Sequence, residues 1–254
     1  SGAIIFRESK IQKMKDPFHH PLSTIKIIFS TIGNWADKIN LVKRRTEVRH
    51  MTENQIFEKF EVKTASILKK KKFSGHMIRN FFQPLFSGIF LENELTTSRR
   101  VFDYIFKMMM EGRTTIPASG IEAIPKQLAS NFDRDSFIFN KSAVSFENKK
   151  VLLSTGETID ADIFVVATDY NSLFHKIKKE PVLQNYRSTT CLYFSADSKP
   201  FREPMICVNA ADPKLINNIA VLTNIYKGFA PVGKELISVS LNGYAKADDI
   251  ELEK

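Results

Sequence analysis

The hydrophobic pattern changes its period near Gly112, and this change limits the folds open to the chain. Before Gly112 the apolar residues recur at three- and four-residue spacings, the period of helices that bury one face. After it they fall into short runs bounded by turn residues, which is typical of strands. A helical half followed by a strand-rich half predicts an α+β fold.

The first half predicts a β-hairpin followed by helices. Residues 2–15 hold two strand-like runs around the polar turn Arg7-Glu8-Ser9, so we expect a hairpin there. The pair Thr52 and Gln55 has the spacing of a capping box, which opens a helix. The expected helices begin at Pro21, after Gly33, and at Thr52, Thr64 and Ser74.

The stretch from Met77 to Met110 is strongly apolar. Its spacing is helical up to Pro84, where the helix must kink or end. A helix capped at Thr97 or Ser98 then runs through Met110 with almost no polar face, so it is either buried on every side or lines an apolar cavity. Plain core and substrate-pocket wall are the two interpretations. The residues expected on such a wall are Phe82, Phe86, Phe102, Phe106 and Met109.

The second half predicts short strands. Residues 162–166 belong to a continuous apolar run, which is typical of a parallel strand buried on both faces. Thr155-Gly156 predicts a turn between two strands. A helix is expected at 121–131, and the other strands are expected at 137–140, 143–147, 151–154, 190–195, 205–209, 219–223 and 236–241.

The positive charge is concentrated in the first half. The net charge is +9, and residues 1–115 hold 21 Lys and Arg against 11 Asp and Glu, while residues 116–254 hold 16 against 17. This asymmetry has two interpretations: solvated helix faces, or a basic binding module for nucleic acid or an anionic membrane surface. The second would use the clusters 43–45 and 69–72. The second cluster has no interleaved aromatic residues, which disfavours nucleic acid.

The two cysteines, Cys191 and Cys207, have no flanking histidine and lie too far apart in sequence for a zinc motif. We interpret them as buried thiols in a reducing compartment, the cytoplasm. No apolar run reaches the roughly 18 residues that a membrane span requires. The histidines show no metal spacing either, so no metal is expected.

The glycines restrict the phosphate chemistry. None of the ten occurs as Gly-x-Gly, so the chain contains neither a dinucleotide fingerprint nor a phosphate-binding loop of the Walker type. No nucleophile or general base can be assigned from residue chemistry. The chain also begins in a strand-like run and stops in a charged one, which suggests an internal fragment of a longer protein.

Residues 112–168 carry an ordered set of motifs. Pro117-Ala-Ser-Gly120 is followed by a helix, by Asn140-Lys-Ser-Ala143-Val, and by Gly156-Glu157 with Ala161-Asp162-x-x-Val165-Val166-Ala167-Thr168. This order resembles the middle of flavin amine oxidases, phytoene desaturases and protoporphyrinogen oxidases. Outside it, landmarks such as Asp16-Pro17-Phe18 and 189–194 resemble a bacterial subgroup of FAD-dependent oxidoreductases.

The resemblance implies where FAD would lie. It places the backbone of Ala143, at a position where relatives most often have valine, beside the adenine. It places Ala167 and Thr168 at the end of a strand of the nucleotide sheet, and Pro117 and Gly120 near the flavin ring. Asp169 follows where many relatives have glycine or proline. The glycine-rich loop that holds the pyrophosphate would precede Ser1.

These observations define one prediction of organisation and function. Residues 1–115 are the hairpin and helices of a substrate domain, 116–175 a partial FAD-domain insertion, and 176–254 substrate-domain strands in a mixed or antiparallel sheet. The parent protein would oxidise an apolar or amine-bearing small molecule by hydride transfer to FAD. The fragment alone is expected to be inactive, with weak or absent FAD binding. A peripheral membrane contact through the basic first half is the expected alternative partner.

Overall fold

The computed structural model describes residues 2–7, 10–15, 33–112, 114–147, 149–168, 186–211 and 216–243. Its contacts divide the chain into two units, one of residues 1–120 and 187–254 and one of residues 121–186. Each unit combines helical and strand segments, as the predicted α+β class requires. The three-part division at residues 115 and 175 stays a prediction.

Two helices of the first unit begin at their predicted capping residues. Ser74 Oγ accepts from the backbone of Met77, and the Thr52–Gln55 capping box is present. The helix expected at Pro21 lies outside the described residues. None of the helices in the described ranges is long and apolar enough to cross a bilayer. The helices are α1 (Trp35–Arg49), α2 (Glu53–Phe57), α3 (Thr64–Lys70), α4 (Gly75–Met77), α5 (Gln83–Phe90) and α6 (Arg99–Glu111).

Asp37 fastens the first turn of α1 to the start of α4. Its carboxylate accepts from the backbone of Asn34 at 2.9 Å, from Ser74 N at 2.6 Å and from Ser74 Oγ at 2.7 Å. Burial raises the pKa of Asp37, but the hydrogen bonds from Ser74 and Asn34 together outweigh it, so its pKa lies below the usual value. The carboxylate therefore stays ionised and holds the two helix starts together.

Pro84 lies inside a helical stretch without ending it. Residues Ile78–Phe82 form a π-helical segment between α4 and α5, and Pro84 falls in the first turn of α5. Proline has no N–H to donate, and this loss costs least in the first turn of a helix. The π segment just before it has a different hydrogen-bond spacing from the α-helix that follows. The helical stretch therefore does not end at Pro84, and the helix type changes just before it.

Nine strands in the described ranges form two sheets. In the six-stranded sheet the order is β2-β1-β7-β8-β9-β6, with β1 and β7 parallel and the other pairs antiparallel. The expected hairpin is confirmed, because β1 and β2 pair from Gly2 with Lys15 to Arg7 with Lys10. The strands are β1 (Gly2–Arg7), β2 (Lys10–Lys15), β3 (Ala143–Glu147), β4 (Lys150–Leu153), β5 (Thr158–Asp160), β6 (Thr189–Ala196), β7 (Ile206–Asn209), β8 (Ile216–Val221) and β9 (Glu235–Asn242).

The core of the first unit is aromatic. Phe82, Phe86 and Phe102 are fully buried, and the rings of Phe86 and Phe102 lie 4.7 Å apart between centroids. Ile5 of β1 and Val208 of β7 belong to the same buried cluster. Phenylalanine brings a large apolar area without a polar group to satisfy, which suits an interior shared by helices and a sheet.

A buried carboxylate joins the helices beside this core. Asp103 of α6 has no exposed surface and forms a short ion pair with Arg44 of α1. Lys59 and Arg99 approach the same carboxylate at 3.6 Å and 3.5 Å. The expectation that α6 has almost no polar face is therefore wrong, because Asp103 and the nearly buried Lys107 face inward in ion pairs.

Helix α5 packs closely on the six-stranded sheet at Gly88. A Cβ at this position would lie 2.3 Å from Oδ1 of Asn217 on β8, which is nearer than real Cβ atoms approach. Asn217 is buried and donates to Ser87 Oγ at 2.7 Å, while Asn242 of β9 donates to the Ser87 carbonyl at 3.1 Å. We call Ser87, Gly88, Asn217 and Asn242 the seam.

The second unit contains β3, β4 and β5 as an antiparallel sheet and helix α7 (Ala123–Ala129). Its register pairs Ala143 with Leu153, as the expected strands at 143–147 and 151–154 require. The Thr155-Gly156 turn is present, with Gly156 N bonded to the carbonyl of Leu153.

Two strand predictions in the second unit are wrong. Residues 137–140 form no strand. They follow a short 3₁₀ turn, and Asn140 has a φ of +59°, far from the value of a strand. Residues 162–166 form no strand, and Ile163 and Val165 are 81% and 85% exposed. An apolar run becomes a buried strand only where neighbours pair with its backbone, and no described strand pairs with this one.

We expect the substitution Asp103→Asn to lower the free energy of unfolding by about 3–5 kcal/mol, because it leaves buried cations without their counter-charge. Urea denaturation followed by circular dichroism measures the change. The matched control is Asp197→Asn, which removes a surface ion pair with Lys234 in the same unit and should cost within about 0.5 kcal/mol. Equal effects of the two substitutions would contradict a structural role for the buried pair.

We expect Gly88→Ala to destabilise the first unit by about 1–3 kcal/mol, since the new methyl group would displace the buried Asn217 side chain. Gly75→Ala is the control. Its Cβ would meet only the far end of the Arg79 side chain, at 3.3 Å, so this change should be neutral or slightly stabilising. A loss of stability as large in Gly75→Ala would refute the close approach at the seam.

Candidate functional site

One face of the six-stranded sheet carries polar side chains beside the seam. Residues directly opposite in paired strands share a face. The pairs Cys191 with Ser240 and Tyr193 with Ser238 therefore put all four side chains on one face of β6 and β9. We call these four residues the polar face.

The side chains of the polar face contact one another. Cys191 Sγ lies 3.3 Å from Ser238 Oγ, and Ser240 Oγ donates to the same sulfur at 3.9 Å. Tyr193 is 64% exposed, so its hydroxyl can reach a bound molecule. The hydrogen bond to Cys191, then the electrostatic interaction with the same side chain and then burial, raise the pKa of Tyr193 above its usual value. Tyr193 therefore remains a neutral hydrogen-bond donor near pH 7.

The interpretation of both cysteines as buried thiols is wrong for Cys191. Both cysteines are free, but Cys191 is exposed and only Cys207 is half-buried. Burial raises the pKa of the Cys207 thiol. The sequence pattern of β6 contains a signal for this exposure. Thr190, Leu192 and Phe194 alternate with the residues of the polar face, and successive side chains of a strand point to opposite faces. Cys191 therefore lies on the face opposite Leu192 and Phe194.

The seam borders the polar face. Asn218 of β8 is the cross-strand partner of Ser240 and so lies on the same face. It donates to Oδ1 of Asn217 at 2.9 Å, and Nδ2 of Asn217 donates to Ser87 Oγ of α5. Helix α5 covers the sheet at the seam, and the face beyond it, at Cys191 and Tyr193, is exposed.

The residues expected near the flavin ring form a tight turn. Gly120 N donates to the carbonyl of Pro117 at 2.9 Å, and Gly120 has a φ of +81°. That conformation favours glycine, because a Cβ would be strained there. The turn is as expected, and its proximity to a flavin stays a prediction.

The residues expected near the adenine and the nucleotide sheet lie in the second unit. Ala143 begins β3 at an irregularity in the ladder, after hydrogen bonds that join Ser142 to Ser154. Ala167 and Thr168 are exposed and follow the unpaired run 162–166. Asp169 lies outside the described residues. The structure thus divides the five expected flavin residues between two units, and their cofactor contacts stay predictions.

The residues expected on the pocket wall lie in or beside the aromatic core. Phe82, Phe86, Phe102 and Phe106 are buried, and the rings of Phe102 and Phe106 stack at 5.7 Å. Met109 is half-buried and packs against the same cluster. Their mutual packing corresponds to the core interpretation of the sequence, and a role in contacting substrate stays a prediction.

Flavin fits the residues of this chain only in part. The turn at Gly120 and the start of β3 at Ala143 offer backbone groups, but the chain has no Gly-x-Gly loop for a pyrophosphate. A phosphate held without a glycine-rich loop and a helix N-terminus lacks its usual anchor. The polar face offers hydroxyls and a thiol, which suit the polar end of a small molecule better than a diphosphate.

Comparison with known proteins gives the chain a family and a fold. The profile of the family described as flavin containing amine oxidoreductase matches residues 30–253. No curated protein sequence matches. An oxidoreductase from Methanosarcina mazei superposes with a TM-score of 0.64 at 14% identity, covering 98% of this chain and 61% of its own.

Two further solved structures share the fold. A putrescine oxidase variant with redesigned cofactor binding gives a TM-score of 0.60 at 10% identity, covering 98% of this chain and 60% of its own. A protein from Pyrococcus furiosus gives 0.58 at 16% identity, covering 94% and 58%. The chain thus spans about three fifths of the length of these structures. Because the family profile matches most of its length, the chain belongs to the flavin-containing amine oxidoreductase family.

Proposed function

We propose that this chain is part of an FAD-dependent oxidoreductase that oxidises an apolar or amine-bearing small molecule by hydride transfer to the flavin. The observation that carries the proposal is the family match over residues 30–253, in a chain whose sheet presents an open polar face. Phytoene-desaturase-like, porphyrin, sterol and amine substrates are all candidates. We place the protein in the cytoplasm, a compartment that suits two free cysteines.

The polar face supplies binding and orientation in this proposal. Tyr193 keeps its proton near neutral pH, so it donates to a lone pair on the substrate. Ser238 and Ser240 add hydroxyls that donate or accept. Flavin, when bound, accepts the hydride, and the protein needs only to hold the substrate in the reacting geometry and exclude water. That division of labour accounts for a site without an acid–base pair.

The nucleotide half of the cofactor needs residues that this chain does not supply. The second unit leaves a series of apolar side chains exposed, which soluble proteins usually cover. We propose that these side chains pack against a nucleotide-binding part of the whole protein, which would carry the glycine-rich loop. The exposed residues are Ile121, Leu128, Phe132, Phe139, Ile163 and Val165.

The purified chain should hold FAD weakly and show no oxidase activity of its own, because it has no glycine-rich loop to bind the pyrophosphate. Visible absorbance of the purified protein measures the flavin retained, and titration with free FAD followed by flavin fluorescence measures affinity. One flavin retained per chain would disprove the proposed weak binding. Circular dichroism on the same sample establishes that the chain is folded.

If the polar face is open to small molecules, a thiol reagent should modify Cys191 at least about tenfold faster than Cys207, since exposure and thiolate fraction set the rate. Reaction with Ellman's reagent should give a fast and a slow phase in the native chain. Cys191→Ser should remove the fast phase, and the matched variant Cys207→Ser the slow one. A fast phase that survives Cys191→Ser would belong to Cys207 and would contradict the expected higher reactivity of a thiol on an open face.

A further inference from the structure

Helix α1 has an apolar stripe on its outer side. Trp35, Ile39 and Val42 are 63%, 53% and 53% exposed. At about 100° per residue they fall within an arc of about 60° of the helix surface. We call these three residues the outer stripe. Single exposed apolar residues are ordinary, but three aligned on one helix face form a surface.

The inner side of α1 is already used by the fold. Asp37, Leu41, Arg44 and Val48 are buried. Leu41 and Val48 belong to the core cluster, while Asp37 and Arg44 hold α4 and α6. The orientation of the helix is therefore set from within, and the outer stripe cannot turn inward without breaking these contacts.

Basic residues flank the outer stripe on both sides. By helical position, Lys38, Arg45 and Arg49 lie along one edge and Lys43 along the other. The ammonium of Lys38 lies 5.2 Å from the Trp35 ring centroid.

The acidic residues of α1 are turned away from this surface. Asp37 is fully buried, and Glu47 forms ion pairs with Arg44 at 2.8 Å and with Lys71 at 2.7 Å. Both carboxylates of α1 therefore serve contacts within the fold and do not border the stripe. This arrangement is complementary to an anionic surface with an apolar interior.

We propose that α1 docks on an anionic lipid bilayer, with the outer stripe in the boundary between headgroups and acyl chains and with Lys43 and Arg49 on the lipid phosphates. Tryptophan favours this boundary, and a helix with an apolar stripe between Lys and Arg lies in the membrane plane. Nucleic acid fits less well, because Ile39 and Val42 cannot stack on bases. The proposal is independent of the chemistry at the polar face.

Trp35 is the only tryptophan of the chain, so its emission reports on α1 alone. With the full chain and vesicles of equal parts phosphatidylserine and phosphatidylcholine, we expect a blue shift and protection from acrylamide. Vesicles of phosphatidylcholine alone should produce little change. Added salt should reverse the shift, because it screens the contact with the anionic surface.

Two substitutions test the stripe and its flank separately. Val42→Asp should abolish the shift, and Val232→Asp, at a fully exposed site outside α1, should leave it unchanged. Lys43→Glu should weaken vesicle binding roughly tenfold or more, whereas Lys126→Glu on α7 should not. Circular dichroism verifies the fold of each variant, and Lys43→Glu keeps the test decisive if Val42→Asp fails to fold.

Several outcomes would overturn the proposal. These are no shift with anionic vesicles, an equal shift with neutral vesicles, or a shift that persists in folded Val42→Asp and in Lys43→Glu. A Trp35 shielded from acrylamide before any vesicle is added, in a chain that elutes as a dimer, would assign the stripe to a second copy. A shift caused by DNA or RNA and not by vesicles would assign the surface to nucleic acid.

Discussion

The close approach of helix α5 to the six-stranded sheet is the constraint on which the rest of the first unit depends. It requires glycine at position 88, because Asn217 occupies the space that a side chain would need. The buried amide of Asn217 and the half-buried amide of Asn242 then donate hydrogen bonds to Ser87. Since buried polar groups are costly unless bonded, this contact admits one register of helix on sheet. That register decides how far the helices cover the sheet and where the polar face is left open.

Two sets of cations in the first half have different surroundings. Arg44, Lys59 and Arg99 converge on the buried Asp103, where they join α1 and α6 around the core. The cations beside the outer stripe lie on the opposite side of α1. The net positive charge of the first half therefore does not distinguish the cations of one set from those of the other. Three cations hold helices together, and four others on α1 flank the outer stripe.

Local chemistry accounts for the features that the sequence predicted. The capping box at Thr52, the cap at Ser74, the turn at Gly156 and the hairpin of β1 and β2 each depend on residues a few positions apart. The predictions that failed depend on a distant strand partner or on a change of helix type. The run at 162–166 has strand chemistry but no paired neighbour, and the helix through Pro84 continues because a π segment precedes it. Propensity cannot decide either outcome, because each is settled by surrounding backbone.

The amino-acid sequence by itself determined the α+β class, most element positions and the family resemblance, because hydrophobic period and turn residues act over short distances. Only the tertiary structure decided which residues share a surface. It brought Cys191 and Tyr193 of β6 beside Ser238 and Ser240 of β9, residues that lie far apart in the chain. It also placed Phe82, Phe86 and Phe102 in a packed core. Strand register and helix packing join residues across long separations, and sequence period carries no record of those pairings.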